Sequence, residues 1–590
     1  MKRTCVRALL TAAGLAGCLS AAAGVKWYAV DPMGETPYMP DKAPQGGIEG
    51  GTLRIVAAKG EYEPCSVVLV ADQDLGKVKV ELGDLRNENG DVFPKANLDL
   101  KTVKVWYQCG NAWTSYFADP GLRLCPELLL NDEDLIKVDT KKVGNYARLT
   151  EKDGTVRYQW ITAPNPLDNR SEGLGWWVGR LPTAFCCMKP NFADAPTHAG
   201  VTLDKGVHKQ LFITANVGKG TKAGLYRGEL RAKSLELGAK SLATIPIVLR
   251  VLDFELPEPK CYFDVEKDFN TWFCEYVGLD FCKSMNGGDE QLAERQLVAI
   301  LSDFVRHGEI LPGYREAATR PELGLAAGMA FDDRAMSLCS GQHVDGTRAE
   351  MRYDARRKRE ALEKKYGPGN YYCGWGDEYG LHVLKCIRDM VKIYHDEGFR
   401  FPINSGAGYD AAGYLADVWW PPVSPDGRSS ASTFKYNQLG GDGYFGWYAC
   451  QHVGNENPAF NRRQYGFGPY RAGLSCNFNY AHHLQEWNDV GTDYYKPMMF
   501  VYGIWNGCVD TLQWEGFREG LDDIRYATLL KQLAQPLVKG TADQRYAAKK
   551  ALQLLADADG DDMDLTTLRY EMIRHIEKLR IMNDELRIKK

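Results

Sequence analysis

Apolar and polar positions alternate in short runs over the first part of the chain and change to helical spacing further on. Leu53 to Ala57, Ser66 to Ala71, Lys77 to Leu82 and Val103 to Tyr107 are strand candidates, followed by Gln210 to Ala215, Gly228 to Ala232 and Ala243 to Leu252. They are parted by Gly, Asp and Asn turn signals. No long helical pattern interrupts them, which predicts a β-sandwich over 25–259. The stretch from 110 to 200 contains Trp160, Trp176 and Trp177 and lacks this regularity, so long loops or an insertion are expected there. Pro257 and Pro259 end the last strand and place a domain junction at 258–262.

Beyond 260 the period changes. Leu292, Leu297, Ile300, Leu301, Phe304 and Val305 share one side of a predicted helix from Gln291 to His307. Strand candidates follow at Tyr371 to Trp375, Phe399 to Asn404, Asp417 to Trp420, Tyr444 to Cys450 and Gly473 to Tyr480, with a helical pattern from His382 to His395. Strands alternating with helices predict a parallel sheet. A length of about 250 residues predicts a (β/α)8 barrel over 260–515. The charged segment from 315 to 370, with Arg356-Arg357-Lys358-Arg359-Glu360, reads as an insertion. The last part, 516–590, is helical in pattern at Gly520 to Leu533, Thr541 to Asp557 and Thr566 to Leu586, with its Lys and Arg on a solvated face. The whole is a multidomain α and β chain.

Composition narrows the class of function. The 590 residues suggest about three domains. A hydrophobic fraction of 44% and a charged fraction of 25% are those of a folded globular protein. A net charge of -5 gives no footprint for nucleic acid. Residues 1–24 read as a signal peptide: Lys2, Arg3 and Arg7 precede the apolar Ala8 to Ala16. Leu15-Ala16-Gly17-Cys18 is lipobox-like, with Cys18 as the lipidated residue; ordinary cleavage after Ala21, Ala22 or Ala23 is the alternative. Export to the bacterial cell surface or periplasm follows, with membrane contact only through that anchor. Of the 16 cysteines, Cys5 and Cys18 belong to this leader. The rest show no paired CxxC spacing, and buried free thiols are expected, as at Cys373, Cys450 and Cys476.

The candidate chemistry is concentrated in Gly369 to Gly380, where an aromatic strand runs into two adjacent carboxylates, Asp377 and Glu378. A strand end before a helix is the catalytic face of a (β/α)8 barrel. Neighbours on a regular strand point to opposite sides, so both carboxylates serve one site only if the backbone turns, which Gly374, Gly376 and Gly380 permit. A helix N-terminus also favours Asp and Glu, but a plain cap needs no aromatic platform. Tyr372, Trp375, Trp447, Tyr448 and Trp505 are candidate walls of a sugar pocket, and Asn479 a candidate partner for a hydroxyl. Of Trp419 and Trp420, at most one lines it. His452, His482 and His483 lack the spacing of metal ligands, and neither metal nor cofactor is expected. Arg518 and Glu519 read as an ion pair bracing the barrel end.

The aromatic strand ending in Asp377-Glu378, Trp505-Asn506-Gly507, and the run from Trp514 through Arg518-Glu519-Gly520-Leu521-Asp522-Asp523 resemble glycoside hydrolase family 123 and its relatives. Ala223 to Leu230 and the Leu256-Pro257 exit do so as well, so the resemblance covers about 50 to 535. It implies a sandwich, a barrel and a retaining exo-glycosidase acting on β-linked N-acetylgalactosamine. In the implied substrate-assisted mechanism the sugar's 2-acetamido oxygen attacks the anomeric carbon. Asp377 then orients that group and Glu378 serves as general acid/base. Glu378 is followed by Tyr379 where relatives often carry proline.

Adjacent carboxylates suit this division of labour. Two conventional retaining carboxylates flank the bond about 5–5.5 Å apart, a distance sequence neighbours do not readily straddle. The acid must stay protonated near neutral pH, and burial beside Asp377 favours that. Two other readings stand. One is a glycosidase of another sugar using separated carboxylates, with Glu515 as the second. The other is a non-catalytic surface glycan-binding lipoprotein. The sequence leaves the oligomeric state open.

Overall fold

A computed structural model describes residues 24–109, 122–162, 188–234, 241–274, 278–308, 320–329, 337–339, 346–369, 371–373, 379–405, 412, 415–419, 443–448, 456–480, 482, 487, 499–558 and 563–588. In the first part, two sheets enclose one apolar core. The first sheet runs Ile48–Glu49, Val25–Val30, Glu61–Ala71, His208–Val217, Leu98–Cys109, Leu122–Leu130, all antiparallel. The second runs Val201–Leu203, Gly76–Leu82, Gly224–Ser234, Ser241–Glu255, Leu53–Lys59, with only its last pair parallel. Alternation sends Val67, Leu69, Leu211 and Ile213 inward from one sheet to meet Ile55, Val80, Leu230, Ile247 and Leu249 of the other. Each strand expected from the sequence before 110 or between 200 and 259 lies within an observed one.

Of the two expectations for the stretch from 110 to 200, long loops or an insertion, the described residues agree with the second. Besides Leu122–Leu130 it contains Ile136–Asp139, Gly144–Thr150 and Val156–Trp160, which form an antiparallel sheet of their own. Val156, Arg157 and Tyr158 are exposed, so the outer strand carries no apolar alternation to read. Gly144 is required: a Cβ there would lie 2.1 Å from the Trp160 ring. Trp176 and Trp177 lie outside the described residues.

In the second part, parallel strands follow one another in chain order. Ser337–Cys339 pairs with Tyr371–Cys373, and that with Phe399–Arg400. Past the single residue Phe401, Pro402–Ile403 pairs with Val418–Trp419, then Tyr444–Tyr448, then Cys476–Tyr480. Cys476–Tyr480, late in the chain, pairs in parallel with Asn270–Cys274, the earliest of the series. The helices Glu290–Arg306, Arg348–Tyr366 and Leu381–Asp396 alternate with these strands. The charged 315–370 segment is therefore not a plain insertion. Its Arg348–Tyr366 helix, started by a Thr347/Glu350 capping box, is the crossover between two neighbouring parallel strands.

The chain ends in helices Leu512–Ala534, Ala542–Asp557 and Leu565–Ile588. The first begins before the expected boundary at 516, because Thr511 caps it by accepting the Trp514 backbone N–H. It is buried on nearly all sides, polar residues included, which blurs its amphipathic pattern. Gly516 and Gly520 let it approach the Pro458–Arg462 helix and the turn after it backbone to backbone: a Cβ on Gly516 would sit 2.3 Å from Pro458 O, and one on Gly520 2.5 Å from Arg462 O. The charges of the Arg518 to Asp523 run meet partners from three directions. Arg462 Nε donates to Asp523 Oδ2 at 2.7 Å, and Arg569 donates to Asp523 Oδ1 at 2.7 Å and Glu519 Oε2 at 2.5 Å. Arg569 also reaches Glu63 of the first sheet at 2.8 Å.

Candidate active site and the polar cluster beside the sheets

Asp377, Glu378 and Trp375 lie outside the described residues, but both flanks of the pair are held in place. Upstream, Tyr371–Cys373 is a parallel strand. Downstream, the Tyr379 N–H donates to Asn404 O at 3.2 Å, and Ser405 Oγ donates to Tyr379 O. Asn404 and Ser405 directly follow the strand Pro402–Ile403. The chain before and after the pair is thus fixed at the carboxyl ends of parallel strands.

The other expected site residues divide between the two faces of the strands. Tyr372 is fully buried, and burial raises its hydroxyl pKa against the pull of the neighbouring Arg400. It faces the group that includes Tyr444, whose ring meets Trp272 edge-on at 5.7 Å. Phe273, next in sequence to Trp272, faces the other way. Its ring packs on Phe304, Trp514 and Phe517 of the helices and on Phe500 of the segment before the Leu512–Ala534 helix. Asn479 is in register with Phe273 and shares that helix side. It is buried, and among the described residues neither of its amide atoms has a hydrogen-bond partner. For Trp447 and Tyr448 only the backbone is described, paired with Asn477 and Phe478. Trp505 is half-buried at the seam with the sheet part: its N–H donates to Phe192 O at 2.9 Å and its carbonyl accepts from Gln296 at 3.0 Å.

Glu515 is also on the helix side and is not brought to Tyr372. It is buried in the first turn of the Leu512–Ala534 helix, where Arg518 pairs with it and His307 Nε2 lies 3.3 Å from Oε1. Burial opposes its charge, yet Arg518 and then His307 hold its pKa below the usual carboxylate range.

Around Glu515 lies a cluster absent from the expected site residues. Asp303 and His307, one turn apart at the end of the Glu290–Arg306 helix, are both buried. Asp303 Oδ2 accepts from His482 Nε2 at 3.0 Å and Trp514 Nε1 at 2.9 Å, and Oδ1 accepts from Arg306 at 2.9 Å. Burial opposes the Asp303 charge, but His307, His482 and Arg306 hold its pKa well below the usual range. Burial likewise opposes a charged His307, and the Asp303 and Glu515 carboxylates reverse this, raising it to about 9. Asp510, beside them, is raised to about 7 by burial and by the Asp303 charge. An i,i+4 Asp–His pair on the apolar side of a predicted helix was the available signal.

Ligand atoms of Asp303, His307 and Asp510 converge within 4.8 Å, the spacing of a cation site. The donor set does not fit one. Asp303 already accepts from three protein donors, and the Arg306 guanidinium and a charged His307 beside it oppose a further positive charge. His307, Asp510 and Glu515 of this cluster lie on the floor of an open cleft of about 1370 Å³ whose walls come from both sheets, through residues 98–101, Thr214 and Asn216 of the first and residues 79–82, 227–229 and Arg231 of the second. Of the expected buried thiols, Cys476 is buried and is not in a disulfide among the described residues.

No family model matches the chain, and no curated protein matches it. Among solved structures, the fold matches that of a family 123 glycoside hydrolase from Clostridium perfringens studied for glycolipid glycan hydrolysis. The TM-score is 0.59 at 13% sequence identity, over 95% of this chain and 98% of that one. Across nearly its whole length, the chain therefore has the fold of a family 123 glycoside hydrolase.

Proposed function

We propose that the chain is an exported retaining exo-glycosidase acting on β-linked N-acetylgalactosamine, with Asp377 orienting the 2-acetamido group and Glu378 as general acid/base. The observation that carries this reading is the anchoring of both flanks of the pair at carboxyl strand ends, by Tyr371–Cys373 and by Tyr379 on Asn404. A closed (β/α)8 barrel is part of the proposal. The parallel pairing of Cys476–Tyr480 with Asn270–Cys274 supports closure, and active sites of such barrels sit at that end. The likeness to a family 123 hydrolase over 95% of the chain supports the same class. Export through residues 1–24, with a lipid anchor at Cys18, belongs to the proposal on the leader pattern alone.

A mechanism with Glu515 as a second, separated carboxylate has less support. Arg518 and His307 engage that carboxylate, and it lies on the helix side of the strands, away from Tyr372. The deciding experiment is a panel of aryl glycosides with wild type and Glu378→Gln. Turnover of the β-N-acetylgalactosaminide, lost in the variant, supports the proposal. Turnover only of sugars lacking the acetamido group favours another glycosidase, and glycan binding without any turnover favours a binding lipoprotein.

A further inference from the structure

The cleft between the two sheets and the start of the Leu512–Ala534 helix is polar, open and unused by the proposed chemistry. At about 1370 Å³ it exceeds the roughly 300–1,000 Å³ of ordinary small-molecule pockets. Its size suits an extended ligand rather than a single ring.

Its charge runs against that of the molecule. The whole chain has 72 Lys and Arg against 77 Asp and Glu, but eight Lys and Arg line the cleft against six Asp and Glu. Two of those acids are neutralised locally: Glu515 by Arg518 and His307, and Asp510 by the burial that favours its protonated form. Several cations remain available. Lys95 and Arg227 are exposed at the rim and form no ion pair among the described residues. On the floor, the Arg306 side chain is half exposed although one nitrogen binds Asp303. Arg518 is 4% exposed, and its buried Nε has no hydrogen-bond partner. A donor so buried and unpaired is costly unless a ligand meets it.

The lining also limits the ligand. Its one Phe, Tyr or Trp residue is Tyr62, and the Arg518 guanidinium lies over that ring at 5.7 Å. Beside it stand only the imidazoles of His198 and His307, the latter stacked on Trp514, so the lining offers no row of aromatic faces for stacking bases, which single-stranded nucleic acid would require. What remains is recognition of hydroxyls and anionic substituents by Arg, Lys and neutral polar groups such as Asn97, Asn131 and Asn216.

We propose that this cleft is a second saccharide site, separate from Asp377 and Glu378, that takes an acidic glycan segment bearing sulfate or carboxylate groups. It rests on the glycosidase reading for the choice of a glycan, and would hold an anionic part of the substrate while a terminal sugar is processed elsewhere.

The test is calorimetric titration of the full-length Glu378→Gln protein with a sulfated N-acetylgalactosamine-containing tetrasaccharide, its desulfated form and inorganic sulfate. The sulfated form is expected to bind at least about tenfold tighter than the desulfated form, a difference of about 1.4 kcal/mol. That preference is expected to disappear when Lys95→Gln and Arg227→Gln are added, with the melting temperature unchanged because both residues are exposed and unpaired. Arg306→Gln is expected to weaken binding as well. Equal affinity for the two saccharides, no binding of either, binding of sulfate alone, or retained preference in the rim variant overturns the proposal. The aryl glycoside panel reports on the catalytic reading independently. Turnover without sulfated-glycan binding removes only the second site, and binding without turnover removes only the catalytic assignment.

Discussion

Arg569 Nε lies 2.7 Å from Asp523 Oδ1, while the other oxygen of the same carboxylate is held at 2.7 Å by Arg462. One buried carboxylate therefore joins the last helix, the Leu512–Ala534 helix and the Pro458–Arg462 helix. Arg569 extends the junction to Glu63 of the first sheet. Removing one partner of a buried ion network leaves the others uncompensated, at a cost of about 3–5 kcal/mol. Arg569→Met is expected to lower the melting temperature strongly, and a melt superimposable on wild type would refute the junction's role.

Glu61 tests the same region from the acid side. Burial, and next the charge of Asp522, raises its pKa to about 8 from an ordinary 4.5. An acid raised in the folded state gives stability that is full below about 4.5 and is lost as pH rises through about 8. Glu61→Gln keeps an oxygen acceptor for the Ala58 N–H and the Tyr526 hydroxyl without having to ionise. Melting temperatures of the variant should fall less than wild type between pH 7 and 9; parallel curves would contradict this.

His307 adds a second dependence of the same sign. Its pKa is raised from 6.5 to about 9, so its contribution is full below 6.5 and disappears as pH rises through about 9. Asp303, lowered, gives the opposite limb: its contribution is lost as pH falls through the acid range. His307→Gln is expected to flatten the alkaline side of the stability profile and leave a residual acid limb. The measurement is thermal melting across about pH 2 to 10, so that the Asp303 limb below the ordinary carboxylate pKa is included, in steps of about one pH unit, since a tenfold change in proton affinity on folding corresponds to about 1.4 kcal/mol.

Gly520 is expected to tolerate no side chain. A Cβ there would meet Arg462 O at 2.5 Å and Gly466 Cα at 3.0 Å, and neither backbone can move aside without breaking the helix contact. Gly520→Ala should cost about 1–3 kcal/mol by overpacking, despite alanine's better helix propensity. Denaturant unfolding decides the sign.

Asp377→Asn is expected to reduce kcat on an aryl β-N-acetylgalactosaminide by about 10²–10³, the usual effect of losing one electrostatic stabiliser. Glu378→Gln should lose about 10²–10⁴, as for a general acid. The Asp377→Asn reduction should be smaller on any sugar lacking the acetamido group that is still turned over, because Asp377 acts through that group, whereas the Glu378→Gln reduction should not depend on it. Unchanged rates in both variants would remove the pair from the mechanism.

Period and punctuation were enough to determine seven strands of the two packed sheets, the exit at Pro257, the alternation of strands and helices after 260 and the three closing helices, but not Val25–Val30, Ile48–Glu49, Leu122–Leu130 or Val201–Leu203. Those features are local: residues such as Val67 and Leu69 alternate because one face of their strand is buried. The strand before Asp377 and Glu378 was legible for the same reason, because Tyr371 to Cys373 is apolar and bounded by glycine. Exposed strands such as Val156–Trp160 carry no such alternation and were not legible. Only the tertiary structure decided which side of a strand each polar residue serves. Asn479 and Glu515 read as candidates for one pocket, yet register with Phe273 and pairing with Arg518 put them on the helix side. The Arg518 to Asp523 run likewise became a junction of helices and sheet once Arg462, Arg569 and Glu63 were brought to it. Its partners lie up to 506 residues apart in the chain, so a pairing of this kind leaves no periodic trace in the sequence.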